Sequence, residues 1–458
     1  LLLLNLGDAR RAHGDFDAAV ANLREARSIR EETSTLQTPD GAALLKSLGA
    51  VKADLGDAQG ALSAYEEARK IRARTKTLEC LEGAQLLQSL GELRDEVGDV
   101  RGALNAFMEV KRIRECTGTL ETENGVRLLK RIGEAHDDEG NVEQALETYE
   151  EAKKICERQG SLISPEGAKL MMNIGVAEKA RGDVNTAIEA YERAREIREQ
   201  TGTLETPDGA ILLMNMGIAM GERQSQLMVH IGVERRARKD ADTQLEYLTE
   251  SRRILERTNS VETAEGAVVL TNIGIAEKAR GNIELALDAY SKARHIRKVT
   301  DTLESIQGAM LLNSMGAAKG DRGDLLGALE AYEEARRIRD ATGTLHTKDG
   351  VMLLMNIGMA QRAFGNFGVA LQAYELARVI RQQLGTMLAP DGALLMSSIG
   401  AALASNGDGP AALKAYEEAL QIRVDIGSLD TPDGGLLLMN MGMAHRTARR
   451  YEKAIELF

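Results

Sequence analysis

The chain has 458 residues and a formal net charge of −12, which argues against general affinity for nucleic acid or an anionic membrane, because both need a surplus of Lys and Arg facing the phosphates. Six prolines, no tryptophan and 3% aromatic residues, in a background of Ala, Leu, Glu, Arg and Met, argue against disorder and for a soluble helical chain. Cys80, Cys116 and Cys156 stand at no CxxC or metal-ligand spacing, so they fit inert thiols of a reducing, cytoplasmic compartment.

The apolar opening Leu1 to Leu4 matches the later helix around Leu212, Leu213 and Met214, so it reads as helix and not as a signal peptide. No transmembrane segment follows it. Because the chain starts and stops inside helices, it is expected to be a segment of a longer array, with apolar faces exposed at both ends. Gly7, Gly49, Gly91, Gly133, Gly175 and Gly217 recur every 42 residues, each after Leu, Ile or Met, and the series resumes with Gly232, Gly274, Gly316, Gly358, Gly400 and Gly442. Such a period makes each unit contact chiefly its neighbours, so one extended repeat array is expected in place of several globular domains.

Each unit has the same grammar. Thr206 offers an N-cap oxygen, Pro207 suits the first helical position and Asp208 faces the positive end of the helix dipole. Pro39, Pro165, Pro390 and Pro432 occupy the same place. The helix runs to a second glycine, such as Gly281 or Gly365, that marks a turn. A second helix follows, with Ala286, Leu287, Tyr290, Ala293 and Ile296 on one buried face. A helix-interior glycine costs about 1 kcal/mol relative to alanine, and close approach offsets it: Gly274, with Ala286 and Ala293 opposite, leaves room for the Tyr290 ring.

Leu48, Gly49, Gly56, Ala61, Tyr65 and Ala68 resemble the tetratricopeptide repeat signature, and the spacing recurs along nearly the whole chain. The period of 42 and the helix continuations Ile71-Arg72 and Ile197-Arg198 resemble the long, kinesin light chain type of that repeat. The aromatic residue expected three places after the first glycine is replaced by Lys52, Arg94, His136, Glu178 and Gln361, which leaves the packing of that seam open. The resemblance implies an all-α fold: an α-solenoid, a right-handed superhelix of stacked antiparallel helix pairs with about eleven units, the last incomplete.

Residues 1–209 form regular units whose first helices carry Asp54, Glu92, Asp95, Glu96, Glu134, Asp137 and Asp138 on the outer arc, interrupted by Lys46, Lys130 and Arg131. Residues 210–265 form an irregular unit with 15 added residues between Gly217 and Gly232, and Lys239, Gln244, Leu248 and Ser251 replace the signature Gly, Ala, Tyr and Ala. Fifteen residues rotate a continuous helix out of phase by about 60°, so a bend or protrusion is expected there. Residues 266–458 return to regular units, cut off in the last helix.

With about 100° of turn per residue, Leu353, Leu354, Ile357 and Gly358 face a core, whereas Met352, Met355, Asn356, Met359 and Arg362 lie on the opposite arc. Stacked units would align that arc into a groove, which by resemblance grips extended peptides. Asn173, Asn215, Asn272, Asn356 and Asn440 form a ladder of amides able to pair with any peptide backbone. Lys179, Arg236, Lys278, Arg362 and Arg446 add cations for acidic ligands. Met172, Met214, Met310, Met352, Met355, Met359, Met439 and Met443 offer thioethers that repack around varied partners. Met216, Met315 and Met441, next to the glycine, fill the core.

The histidines are scattered, and no HExxH motif, nucleophile elbow or phosphate-binding loop occurs, so no enzyme, metal or cofactor is expected. His136 beside Asp137 and Asp138 reads as helix surface, and the run Ala335 to Arg339 after Glu333 and Glu334 reads as surface ion pairs. The expected function is a scaffold or adaptor that binds protein or peptide segments, acidic ones among them, with no nucleic-acid or membrane partner. The alternative is a sensor or autoinhibitory arm of a larger, ATPase-like signalling enzyme; cargo binding of the kinesin light chain kind is a narrower form of the first.

Overall fold

In the computed structural model, the described residues are 1–228 and 234–457, with the side chains of 226–228 and 234–239 left aside. Among them lie 22 helices and no strand. They follow as pairs: α1 (Leu2–Ala12) with α2 (Phe16–Glu32), α3 (Pro39–Asp54) with α4 (Ala58–Arg74), α5 (Leu81–Glu96) with α6 (Val100–Cys116), and α7 (Glu123–Asp138) with α8 (Val142–Gln159). Next come α9 (Pro165–Arg181) with α10 (Val184–Gln200), α11 (Pro207–Met228) and α12 (Glu234–Arg257), and α13 (Ala264–Ala279) with α14 (Ile283–Val299). The chain ends with α15 (Ile306–Asp321) and α16 (Leu325–Ala341), α17 (Lys348–Phe364) and α18 (Phe367–Gln383), α19 (Pro390–Ser405) and α20 (Gly409–Asp425), and α21 (Pro432–Thr447) and α22 (Tyr451–Leu457). The all-α solenoid expected from the repeat is therefore the fold. Two compact units divide it, Leu1–Ala237 and Arg238–Phe458.

The local signals act as read. Thr38 Oγ1 accepts the Gly41 N–H at 3.3 Å, with Pro39 opening α3. Gly56 and Gly281 take φ of +78° and +83°, the left-handed region open to glycine, and the following Asp57 caps α4 by accepting the Gly60 N–H at 2.9 Å. Within a pair, a Cβ on Gly274 would sit 2.4 Å from Tyr290 Cε1, and one on Gly49 would sit 2.6 Å from Tyr65 Cε1. The ring fills the place of the absent side chain, so glycine and ring rows form one seam.

The seam left open by the missing aromatic is closed by polar groups. Lys52 Nζ donates to the Gly60 carbonyl at 3.4 Å and Arg94 Nη1 to that of Gly102 at 3.1 Å, each reaching over the turn into the second helix. Gln361 does the same through Asn366, whose amide donates to it at 2.9 Å.

Two rows were not legible from the residues alone. A second glycine, such as Gly266 or Gly350 in the first turn of each first helix, packs on the preceding loop: a Cβ there would lie 1.9 Å from the carbonyl oxygen of Val261 or Leu345. The other row corrects the reading of Ala335 to Arg339. Arg336 does pair with Glu333 at 2.9 Å, but Arg337 reaches back to Glu304 at 2.5 Å, and Arg339 is 2% exposed. Arg339 donates to the Thr344 carbonyl at 3.3 Å and meets Asp349 at 3.4 Å, which pins the loop between repeats. Arg198, Arg381 and Arg423 repeat this arrangement.

In the irregular stretch both helices are longer, 22 residues in α11 and 24 in α12, against 16 to 18 in the complete regular pairs after α1. Leu212, Leu213 and Met216 remain buried in α11, as do Gln244, Leu248, Ser251 and Ile254 in α12. Of residues 218–232, where a bend or protrusion is expected, 218–228 continue α11 and 229–232, with Gly232, lie outside the described residues; the side chains of Arg236 and Lys239 lie outside them too.

Candidate functional site

Consecutive first helices within each unit touch one another, as α1 touches α3, α7 touches α9, and α13 touches α15. Second helices are instead bridged by long charged side chains: Arg69 to Glu109 at 3.0 Å, Lys111 to Glu151 at 2.7 Å and Arg294 to Glu334 at 2.6 Å. Within each unit first helices therefore form the closer-spaced layer, and their outer arc is the face on which that unit's candidate residues stand.

In the second unit that face is apolar. Met352 is 56% exposed, and Met310, Met359, Met439 and Met443 are exposed as well, next to Leu394 and Leu436. Met355 is a correction: it is 6% exposed and belongs to the core with Tyr374 and Ile380. Its place, three residues before Gly358, borders the arc, where Lys46, Gln88, Met172 and Met214 are half-buried; a flexible thioether there turns inward. Met216, Met315 and Met441 are buried as core filling requires.

The amides are less free than their spacing suggests. Asn173, Asn215, Asn272, Asn356 and Asn440 are all half-buried. Asn173 donates to Glu134 at 3.1 Å on the neighbouring first helix, Asn356 to Asn313 at 2.9 Å on another, and Asn272 to the Val268 carbonyl of its own helix at 2.9 Å. The cations behave similarly. Lys179 pairs with Glu222 at 3.4 Å and Lys278 with Asp321 at 2.8 Å, whereas Arg362 and Arg446 are exposed. Lateral bonds between residues 39 to 43 positions apart cannot be seen in one repeat at a time, which is why the sequence left these groups open.

One place gathers several candidates. A cleft of about 610 Å³ is lined by Arg362 of α17, by Ala401, Ala404 and Ser405 of α19, by Tyr416 of α20, and by Asn440, Met443 and Thr447 of α21, with Arg450 beyond it. Its walls are apolar, its charged lining groups are arginines, and no carboxylate lines it.

In the first unit several acidic residues of the first helices meet neighbouring groups. Arg131 lies 3.4 Å from Glu134 and 3.9 Å from Asp95. Tyr149 donates its hydroxyl to Asp137 Oδ2 at 2.9 Å. Burial holds the Asp137 carboxyl above the usual range in spite of that bond, and burial followed by Asp95 and Glu134 does the same for Asp138. Burial also lowers His136. Among the described residues no group of three or more His, Cys, Asp and Glu could hold a metal ion, and no helix is long and apolar enough to cross a membrane. Cys156 is buried, Cys80 half-buried and Cys116 exposed, all as free thiols.

A tetratricopeptide repeat model matches residues 125–200 and 393–458, and a second model of the same repeat matches residues 4–74. No curated protein matches the chain. Among solved structures, the signal transduction ATPase with numerous domains from Pyrococcus horikoshii, which has a tetratricopeptide repeat sensor, is 13% identical at a TM-score of 0.56, over 85% of this chain and 54% of that one. Nearly identical TPR-like repeats assigned to a kinesin light chain of Podosopora anserina are 22% identical at a TM-score of 0.40, over 43% of this chain and 94% of theirs. BtubC (BKLC) from P. vanneervenii is 19% identical at a TM-score of 0.42, over 54% and 92%. Repeats of this class generally mediate protein–protein interaction. With its seams of glycine against ring, its capped helix pairs and the repeat-model matches over residues 4–74, 125–200 and 393–458, the chain is a tetratricopeptide repeat array.

Proposed function

We propose that the array is a protein-interaction scaffold whose first-helix face in the second unit holds an extended peptide segment. The cleft that joins Arg362, Asn440 and Met443 carries this reading, because its lining combines what such a ligand needs. Exposed thioethers supply adaptable apolar contact, the Asn440 amide can pair with a backbone, and arginines with no carboxylate beside them favour an acidic residue in the segment. Met172, Asn173, Met214 and Asn215 offer the same side-chain types on first helices of the first unit, and in the second unit Met359, Met439 and Arg446 belong to the first-helix face that holds the cleft. Asn356 and Lys278 in the second unit, and Lys179 in the first, serve through bonds between helices as much as through contact with a ligand, and Asn272 bonds within its own helix.

Selection of a displayed random peptide library on the full chain tests this. Selected peptides should be rich in apolar and acidic residues, and Met443→Glu or Arg362→Glu should weaken them at least about tenfold, or 1.4 kcal/mol. Failure to enrich any sequence, or equal binding by both variants, removes the reading. In the alternative, the array is the sensing arm of a larger signalling ATPase; the same surface is used, and binding alters the enzyme joined to it in place of recruiting a partner.

A further inference from the structure

At the first-helix face of the second repeat, two cations share one cleft of about 650 Å³: Lys46 of α3, half-buried, and Arg72 of α4, which is 7% exposed. In no other described repeat do both places carry a cation. Where the arginine is present, its counterpart on the first helix is uncharged, as with Gln88 and Arg114, Met172 and Arg198, or Asn313 and Arg339. Where a second lysine appears, at Lys130, the arginine is replaced by Cys156.

The usual compensation is also missing. Arg198, Arg339 and Arg423 each meet a carboxylate ten residues on, Asp208 at 3.5 Å, Asp349 at 3.4 Å and Asp433 at 3.5 Å. For Arg72 that residue is Glu82, whose Oε2 lies 2.9 Å from the Cys80 thiol, and neither Arg72 nor Lys46 makes an ion pair among the described residues. Arg72 donates to the Thr77 carbonyl at 3.1 Å and Lys46 to Gln85 Oε1 at 3.3 Å. Of the other carboxylates in the cleft, Asp54 is held by Arg11 at 2.5 Å and Asp8 stands exposed on α1. Two like charges withdrawn from water with no direct ion pair oppose folding, and the Asp8 and Glu82 carboxylates offset this only from a distance. A local rule broken in this way, with incomplete compensation inside the chain, marks a functional place.

We propose that this cleft is an oxyanion-binding subsite in which Lys46 and Arg72 together hold a carboxylate or phosphoryl group of a ligand. Charge-assisted bonds from a guanidinium and an ammonium suit either group. Burial and then Arg72 depress the Lys46 pKa, and a bound anion favours the charged ammonium against both. This subsite belongs to the first unit, and the proposal does not depend on the peptide face of the second.

The test is thermal melting of the full chain at constant ionic strength, with sodium phosphate or sodium acetate replacing sodium chloride. Wild type is compared with Lys46→Met, which installs the residue that Met172 and Met355 carry at this place, and with Lys46→Arg. In chloride the methionine variant should melt above wild type, because the like-charge contact is gone. Phosphate or acetate should raise the Tm of wild type and of Lys46→Arg saturably, as a ligand of the native state does, and leave Lys46→Met with only the general salt response. A response to phosphate alone assigns a phosphoryl group, and one to acetate alone a carboxylate. An equal response in wild type and Lys46→Met, or none in wild type, overturns the proposal.

Discussion

Gly266 and Gly274 lie in the same helix, both buried, yet they are glycine for different reasons. At Gly274 a methyl group would meet the Tyr290 ring at 2.4 Å, and a ring edge can swing. At Gly266 it would meet the Val261 carbonyl oxygen at 1.9 Å, which belongs to a backbone already fixed by the Thr263 cap on the Gly266 N–H at 3.3 Å. Alanine gains about 1 kcal/mol of helix propensity at either position, while overpacking costs about 1–3 kcal/mol. Gly274→Ala is therefore expected to destabilise the second unit by no more than about 2 kcal/mol, and Gly266→Ala by roughly 3 kcal/mol or more. Urea unfolding monitored by helicity checks this, and an equal midpoint for the two variants contradicts the distinction between ring and carbonyl.

At the scale of the element, the boundaries of the helices were open to reading because each rests on local chemistry. Thr206-Pro207 opens α11, and Gly281 ends the turn before α14, without help from distant residues. The arginine row was not legible for the opposite reason. Arg336, Arg337 and Arg339 look alike in sequence, and only the stacking of the next repeat decides that the third is buried under a loop while the first two stay in water. The signal was nevertheless present in the recurrence of an arginine directly after a core isoleucine, as in Ile71-Arg72, Ile197-Arg198 and Ile338-Arg339. Removing Arg339 takes one of two donors from the Thr344 carbonyl, which keeps the Thr347 hydroxyl at 2.8 Å, and empties a buried site beneath the loop, whereas its partner Asp349 is mostly in solvent. Arg339→Ala should cost about 3 kcal/mol, the scale for breaking a buried charged contact, and Asp349→Ala less than about 1 kcal/mol. A double-mutant cycle by chemical denaturation measures both, and equal costs would place the arginine back at the surface.

Over the whole molecule, each helix touches chiefly the helices beside it, so stability is a sum of local pairs and nearest-neighbour seams. The same architecture explains how much of the candidate face could be foreseen. The arc carrying Met352, Met359 and Met443 follows from the pitch of one helix, but the inward turn of Met355 and the lateral bonds of Asn173, Asn356 and Lys278 depend on neighbours. A defect should spread over a similarly short range. Gly316→Leu puts a branched side chain where a single Cβ would already lie 2.6 Å from Tyr332 Cε1, so it should open α15 and α16 first and then the helices packed on them, α14 and α17. Local opening is read by amide exchange. Hydrogen–deuterium exchange followed by mass spectrometry should show protection lost across α13 to α18, while peptides from α3 to α8, in the other unit, keep wild-type rates. Loss of protection spread evenly over all the helices would mean that the array folds as one cooperative body, and that its two units do not carry independent stability.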